Sequence, residues 1–68
     1  MKVRVVEQGG IMADVEVSEN ATIETALRKA GARIDVAKEI RVNNEVAELE
    51  DTLDPNDTIF VIPQVKGN

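Results

Sequence analysis

The sequence contains no cysteine, no histidine, no tryptophan and no tyrosine, and its one aromatic residue is Phe60. Without Cys there is no disulfide, no thiolate metal ligand and no thiol nucleophile. Without His, the side chain that most often moves protons near neutral pH and binds transition metals is missing too. A single ring gives no platform for stacking bases, and the net charge of −5 has the wrong sign for phosphate recognition. No apolar run approaches the roughly 20 residues of a membrane span, and the N-terminus shows no signal-peptide pattern. These absences predict a cytoplasmic protein that is not an enzyme, carries no cofactor or metal, and binds neither nucleic acid nor membrane. The acidic balance points to a partner with a basic face, or to solubility alone.

What is present is periodic. Hydrophobic residues make up 43% of the 68 residues, enough for one small domain. A chain of this size buries only about 60% of its unfolded surface. Lys2 to Val6 alternates and is Val-rich, so it reads as a strand, with Val3 and Val5 on one face and Lys2, Arg4 and Val6 on the other. Gln8-Gly9-Gly10 suits a hairpin turn. Ile11 to Val17 then alternates with Met12, Asp14 and Glu16 outward. Thr22 is placed as a helix N-cap, with Glu24 in the first turn, and Ile23, Ala26, Leu27 and Ala30 form one helical stripe. Arg28 and Lys29 fall in the last turn, and Gly31 ends the helix.

The second half predicts strands more loosely. Ala32 to Lys38 reads as a loop that tucks Ile34 and Val36 into the core. Glu39 to Asn43 reads as a short strand, Asn43-Asn44 as a turn, and Val46 to Glu50 as an edge strand. Asp54-Pro55-Asn56-Asp57 is a turn signal. Thr58 to Ile62 is almost wholly apolar, which predicts a central strand covered on most of both faces. This order, strand-strand-helix-strand-strand-strand, predicts an α+β protein with the β-grasp architecture: a mixed four- to five-stranded sheet packed on one short helix. The expected domain spans residues 1–63, followed by a C-terminal tail at 64–68.

Asp57 to Asn68 resembles the closing segment of the ThiS/MoaD-type sulfur carriers, the ubiquitin-like family that includes the small subunit of molybdopterin synthase. That family ends in a strand, then Pro-x-Val-x and Gly-Gly. Pro63, Val65 and Gly67 match; Asn68 stands where the final Gly would be. Val42-Asn43-Asn44-Glu45 resembles the family's Val-Asn-Gly-Glu turn, and Leu53 to Asp57 its Leu-x-x-Gly-Asp segment, with Pro55-Asn56 in place of the Gly. The resemblance implies a carrier or protein modifier. Its partners would be a ubiquitin-activating-type adenylating enzyme, which activates the C-terminal carboxylate with ATP, and a sulfur acceptor or synthase subunit. Carried over, it makes Pro63, Val65, Lys66, Gly67 and Asn68 the residues of the segment that is offered.

Asn68 departs from the pattern with consequences of its own. Its side chain is bulkier than the hydrogen of Gly, and its amide nitrogen is placed to attack an activated α-carboxyl and close a five-membered imide. Trimming of Asn68 by a peptidase is one route round both. The alternative is a non-covalent β-grasp interaction or regulatory subunit that no longer uses its terminus, and a plain chain end fits the tail as well. Phe60 and Ile62 alternate with Ile59 and Val61, so one pair faces away from the helix. With Met12 and Arg41, Phe60 and Ile62 are the candidate partner-binding residues, against the simpler reading of an apolar central strand. The acidic stretch Glu45 to Asp57 fits a solvated edge or a dock for a basic groove, and matches no EF-hand spacing.

Overall fold

A computed structural model describes residues 1–64. Five strands and one helix follow in the order β1 (Lys2–Glu7), β2 (Met12–Glu16), α1 (Ile23–Ala30), β3 (Ala37–Val42), β4 (Glu45–Val46) and β5 (Thr58–Pro63). The strands lie in the spatial order β2-β1-β5-β3-β4. β1 and β5 are parallel neighbours at the centre, and the other pairs are antiparallel. This is the predicted β-grasp.

The opening hairpin forms where strict alternation meets a turn with a glycine at positive φ. Gly9 has φ 74°, in the left-handed region that a Cβ disfavours. Val3 pairs with Val15 and Val5 with Ala13, so their side chains share the face on which α1 packs. The helix begins at Thr22, whose hydroxyl accepts from the Thr25 N–H at 3.3 Å, and closes at Gly31 with φ 79°. Eight residues make a helix too short to persist alone. It is held by Ile23, Ala26 and Leu27, all fully buried against Val3, Val5, Ile40, Ile59 and Val61. Each completely buried Ile, Leu or Val contributes about 1.5–3 kcal/mol.

Three expectations are corrected. The edge strand expected from Val46 to Glu50 is only the two residues Glu45–Val46. Beyond it the backbone turns away to serve the helix: Leu49 O accepts from Glu24 N, and Asp51 O from Ile23 N, each at 3.0 Å. First-turn amides have no partner inside their own helix, so this use of the carbonyls outweighs another rung of sheet. In the loop before β3, Ile34 packs against the core but Val36 is 39% exposed, because strand geometry begins at Ala37. Finally, β5 is central but is covered by α1 on one face alone. Ile59 and Val61 are buried, whereas Phe60 on the opposite face is 36% exposed.

Glu7 extends β1 one residue past the predicted strand and is buried. Its Oε2 accepts from Arg33 Nε at 3.0 Å, which supplies the opposite charge that a buried carboxylate requires. Among the described residues no helix is long and apolar enough to cross a membrane.

Candidate functional site

The face of the sheet that α1 leaves open carries one transverse row of side chains in register. Met12 on β2 lies opposite Val6 on β1, Val6 beside Phe60 on β5, Phe60 opposite Arg41 on β3, and Arg41 opposite Val46 on β4. At about 4.8 Å between strands, the row runs about 19 Å across the sheet. Met12 is 70% exposed and Val46 64%; Val6 and Arg41 are half-buried. Four of the five residues are apolar. An apolar band of this extent on a small, highly charged domain is the kind of surface that partners cover.

Two ion pairs border the row. On one side Arg4 Nε donates to Asp14 Oδ1 at 2.9 Å, in the next rank of the β1–β2 ladder. This hydrogen bond, with the charge of Asp14, raises the Arg4 pKa above its ordinary value. It also holds the Asp14 carboxyl below the usual carboxylate range; partial desolvation opposes that, and the charges of Arg4 and Lys2 reinforce it. On the other side Arg41 donates through Nε to Glu39, two residues back on the same strand and the same face. The charges next to the row are therefore satisfied within the chain.

A shallow groove of about 370 Å3 opens beside Phe60, lined also by Val6, Ile62, Gln8, Arg41 and Asn43. A larger groove of about 690 Å3 lies along the β3–β4 end and is lined by Glu45, Asp51, Asp54 and Asp57. Size does not favour the larger one, because two of its four carboxylates, those of Asp51 and Asp57, are used to build their own loops. Asp51 accepts from Glu48 N at 3.0 Å; Asp57 accepts from Asp54 N at 2.8 Å and from Asn43 Nδ2 at 3.3 Å. It is a solvated acidic edge built on these turns. The apolar groove is lined by Val6, Phe60 and Ile62, none of which belongs to the buried core.

Of the residues singled out from the sequence, Met12, Phe60 and Arg41 stand in one row, and Ile62 lies on the same face one rank along, opposite Glu39. Pro63 ends β5, opposite Ala37, and the next N–H, of Gln64, donates to Val36 O at 2.9 Å. Val65, Lys66, Gly67 and Asn68 lie outside the described residues. Val6 and Val46 were not anticipated as part of the site. The signals were present: alternation already put Val6 on the outer face, and a two-residue Asn43-Asn44 turn sets Val46 opposite Arg41.

No family model matches the chain, and no curated protein does. Solved structures do. SAMP1 from Haloferax volcanii is similar over the full length of both chains at 19% identity and a TM-score of 0.77. A structure of H. volcanii small archaeal modifier protein 1 covers 94% of this chain and 98% of its own, at 19% identity and a TM-score of 0.73. Caldiarchaeum subterraneum ubiquitin covers 100% and 98%, at 19% identity and a TM-score of 0.68. The fold is that of the ubiquitin-like β-grasp proteins.

Proposed function

We propose that this chain is a small ubiquitin-like modifier or sulfur carrier that docks through the open face of its sheet and offers its C-terminal segment to an adenylating enzyme of the ubiquitin-activating type. The observation that carries the reading is the row Met12–Val6–Phe60–Arg41–Val46, centred on the strand that leads into that segment. The likeness to a small archaeal modifier and an archaeal ubiquitin supports it, and so does the Pro63-x-Val65-x-Gly67 pattern.

The division of labour follows from the geometry. The apolar face supplies buried area and an aromatic anchor, Phe60, of the kind that dominates interface energies. β5, fixed between two strands, carries the chain from that face toward the partner. In the activation step the terminal carboxylate attacks the α-phosphorus of ATP and displaces pyrophosphate, giving an acyl adenylate. A sulfur nucleophile or a lysine amine on a target then displaces AMP. The protein contributes the electrophile and the dock; the partner contributes the catalysis. Where Asn68 ends the chain, its removal before activation would leave Gly67 as the acyl residue.

The test is ATP–pyrophosphate exchange with an adenylating enzyme from the same cell, using the full chain and a Phe60→Ala variant. Exchange that depends on the protein and needs a much higher concentration of the variant supports the reading. Exchange absent for every such enzyme, together with binding that survives deletion of residues 66–68, would replace it with a non-covalent interaction module.

A further inference from the structure

Glu7 is the one charged side chain buried in the core among the described residues, and the function proposed above gives it no task. It faces the helix side of the sheet beside Val61. Its partner, Arg33, comes from 26 residues away, in the loop between α1 and β3, and is itself largely exposed. Burying the Glu7 carboxylate costs desolvation that its attraction to a largely exposed arginine must offset, so the pair is a poor device for stability alone. The hairpin turn also closes directly over it: a Cβ on Gly10 would stand 2.8 Å from Glu7 Cδ.

What the pair joins is specific. β5 lies between β1 and β3. Glu7 is the last residue of β1, and Arg33 precedes β3, whose first residue Ala37 lies opposite Pro63. The ion pair therefore links the end of β1 to the loop that leads into β3, at the end of β5 from which residues 64–68 continue. The ladder is thin at that end. Beyond Gln8 N to Val61 O at 3.0 Å, the β1 side pairs no further residue of β5. On the β3 side the register shifts between Ala37 and Glu39, and Pro63 has no N–H to donate.

We propose that Glu7 and Arg33 form a clasp that fixes the direction in which β5 hands over to the C-terminal segment. They are positioning residues for its delivery to the adenylating enzyme. The delivery half rests on the carrier reading above; the clasp itself does not.

Amide hydrogen exchange on the full chain tests the clasp without any enzyme. In Arg33→Ala the Gln64 amide, held by Val36 O, should exchange about tenfold faster while Val5 and Ile59 hold their rates, and Arg33→Lys should restore most of the protection. An unchanged Gln64 rate overturns the clasp, as does equal acceleration of all three amides. Delivery is read from ATP–pyrophosphate exchange: Arg33→Ala should lower kcat with KM unchanged, since the open face is untouched. An unaltered kcat removes the delivery role. If the wild-type chain supports no exchange with any adenylating enzyme, the carrier reading and the delivery role fall together, and the amide rates alone decide the clasp.

Discussion

Phe60 and Arg41 stand opposite one another across the β5–β3 ladder, on the face that α1 leaves open, and both line the same groove. The Arg41 guanidinium is drawn along its own strand to Glu39. The arginine opposite the ring is therefore a paired charge rather than a free one. Arg4 and Asp14 neutralise one another on the other side. Docking on this face should therefore depend weakly on salt. Raising ionic strength from about 0.05 to about 0.5 M should change the Kd for the partner less than about threefold. Titration calorimetry at the two strengths checks this, and a steep loss of affinity would move the dock to the acidic β3–β4 edge.

Phe60→Ala separates docking from folding. The ring is partly exposed and outside the core cluster, so the variant should lose less than about 1.5 kcal/mol of stability, whereas Leu27→Ala in the core should lose about 2–5 kcal/mol. In partner binding the order reverses: loss of an aromatic anchor costs about 2 kcal/mol or more, a Kd some thirtyfold weaker. Urea unfolding and partner titration on the same two variants give both numbers.

The two glycines of the hairpin turn should respond differently to substitution. Gly9 has open space where a Cβ would stand but a positive φ, so Gly9→Ala pays about 1–2 kcal/mol in backbone strain and Gly9→Asn less. At Gly10 a Cβ meets the Glu7 carboxyl group, which burial and Arg33 hold in place. Gly10→Ala should cost about 1–3 kcal/mol, and Gly10→Asn should bring no relief. Thermal unfolding of the four variants distinguishes the two causes.

Asp14 gives the fold a small acid sensitivity. Its carboxyl is held below its ordinary pKa of 3.8, first by the hydrogen bond from Arg4. A group whose pKa is lower folded than unfolded stabilises the fold above the unfolded value, and that contribution disappears as pH falls through the folded one. Both side chains are well exposed, so the effect is that of a surface pair. Asp14→Asn should have a slightly lower urea midpoint than the wild type at about pH 6, and the difference should shrink as pH falls below the ordinary carboxylate value. A difference that does not shrink on acidification would show that the pair is not its source.

Local chemistry was legible in the sequence wherever a residue determines its own backbone. Thr22 and Gly31 mark the helix because one supplies a capping oxygen and the other accepts a left-handed φ. Asn43 and Asn56 sit at φ 58° and 67°, as turn residues that tolerate that region. The hairpin followed from alternation, and the apolar run at 58–62 placed β5 at the centre of the sheet. The same run could not say that one face stays open, because an apolar strand reads alike whether it meets a helix or a future partner. Glu7 was invisible for a related reason: a glutamate at a strand end reads as solvent-facing until Arg33 arrives from a distant loop. The short β4 also depends on something non-local, the demand of the α1 amides for the carbonyls of Leu49 and Asp51. In the site, alternation and turn geometry reached Met12, Phe60, Ile62 and Arg41 but did not single out Val6 and Val46 as neighbours of the same row.

The central claim is that this domain exists to bring its C-terminal segment to a partner's chemistry, and the intact mass of the protein isolated from its own cells tests that most directly. The account predicts a fraction in which the C-terminal carboxyl is altered: a thiocarboxylate, a linkage to a lysine of another polypeptide, or a trimmed chain ending at Gly67. A single unmodified species under all growth conditions, in cells where a form shortened by residues 66–68 works as well as the full chain, would contradict it.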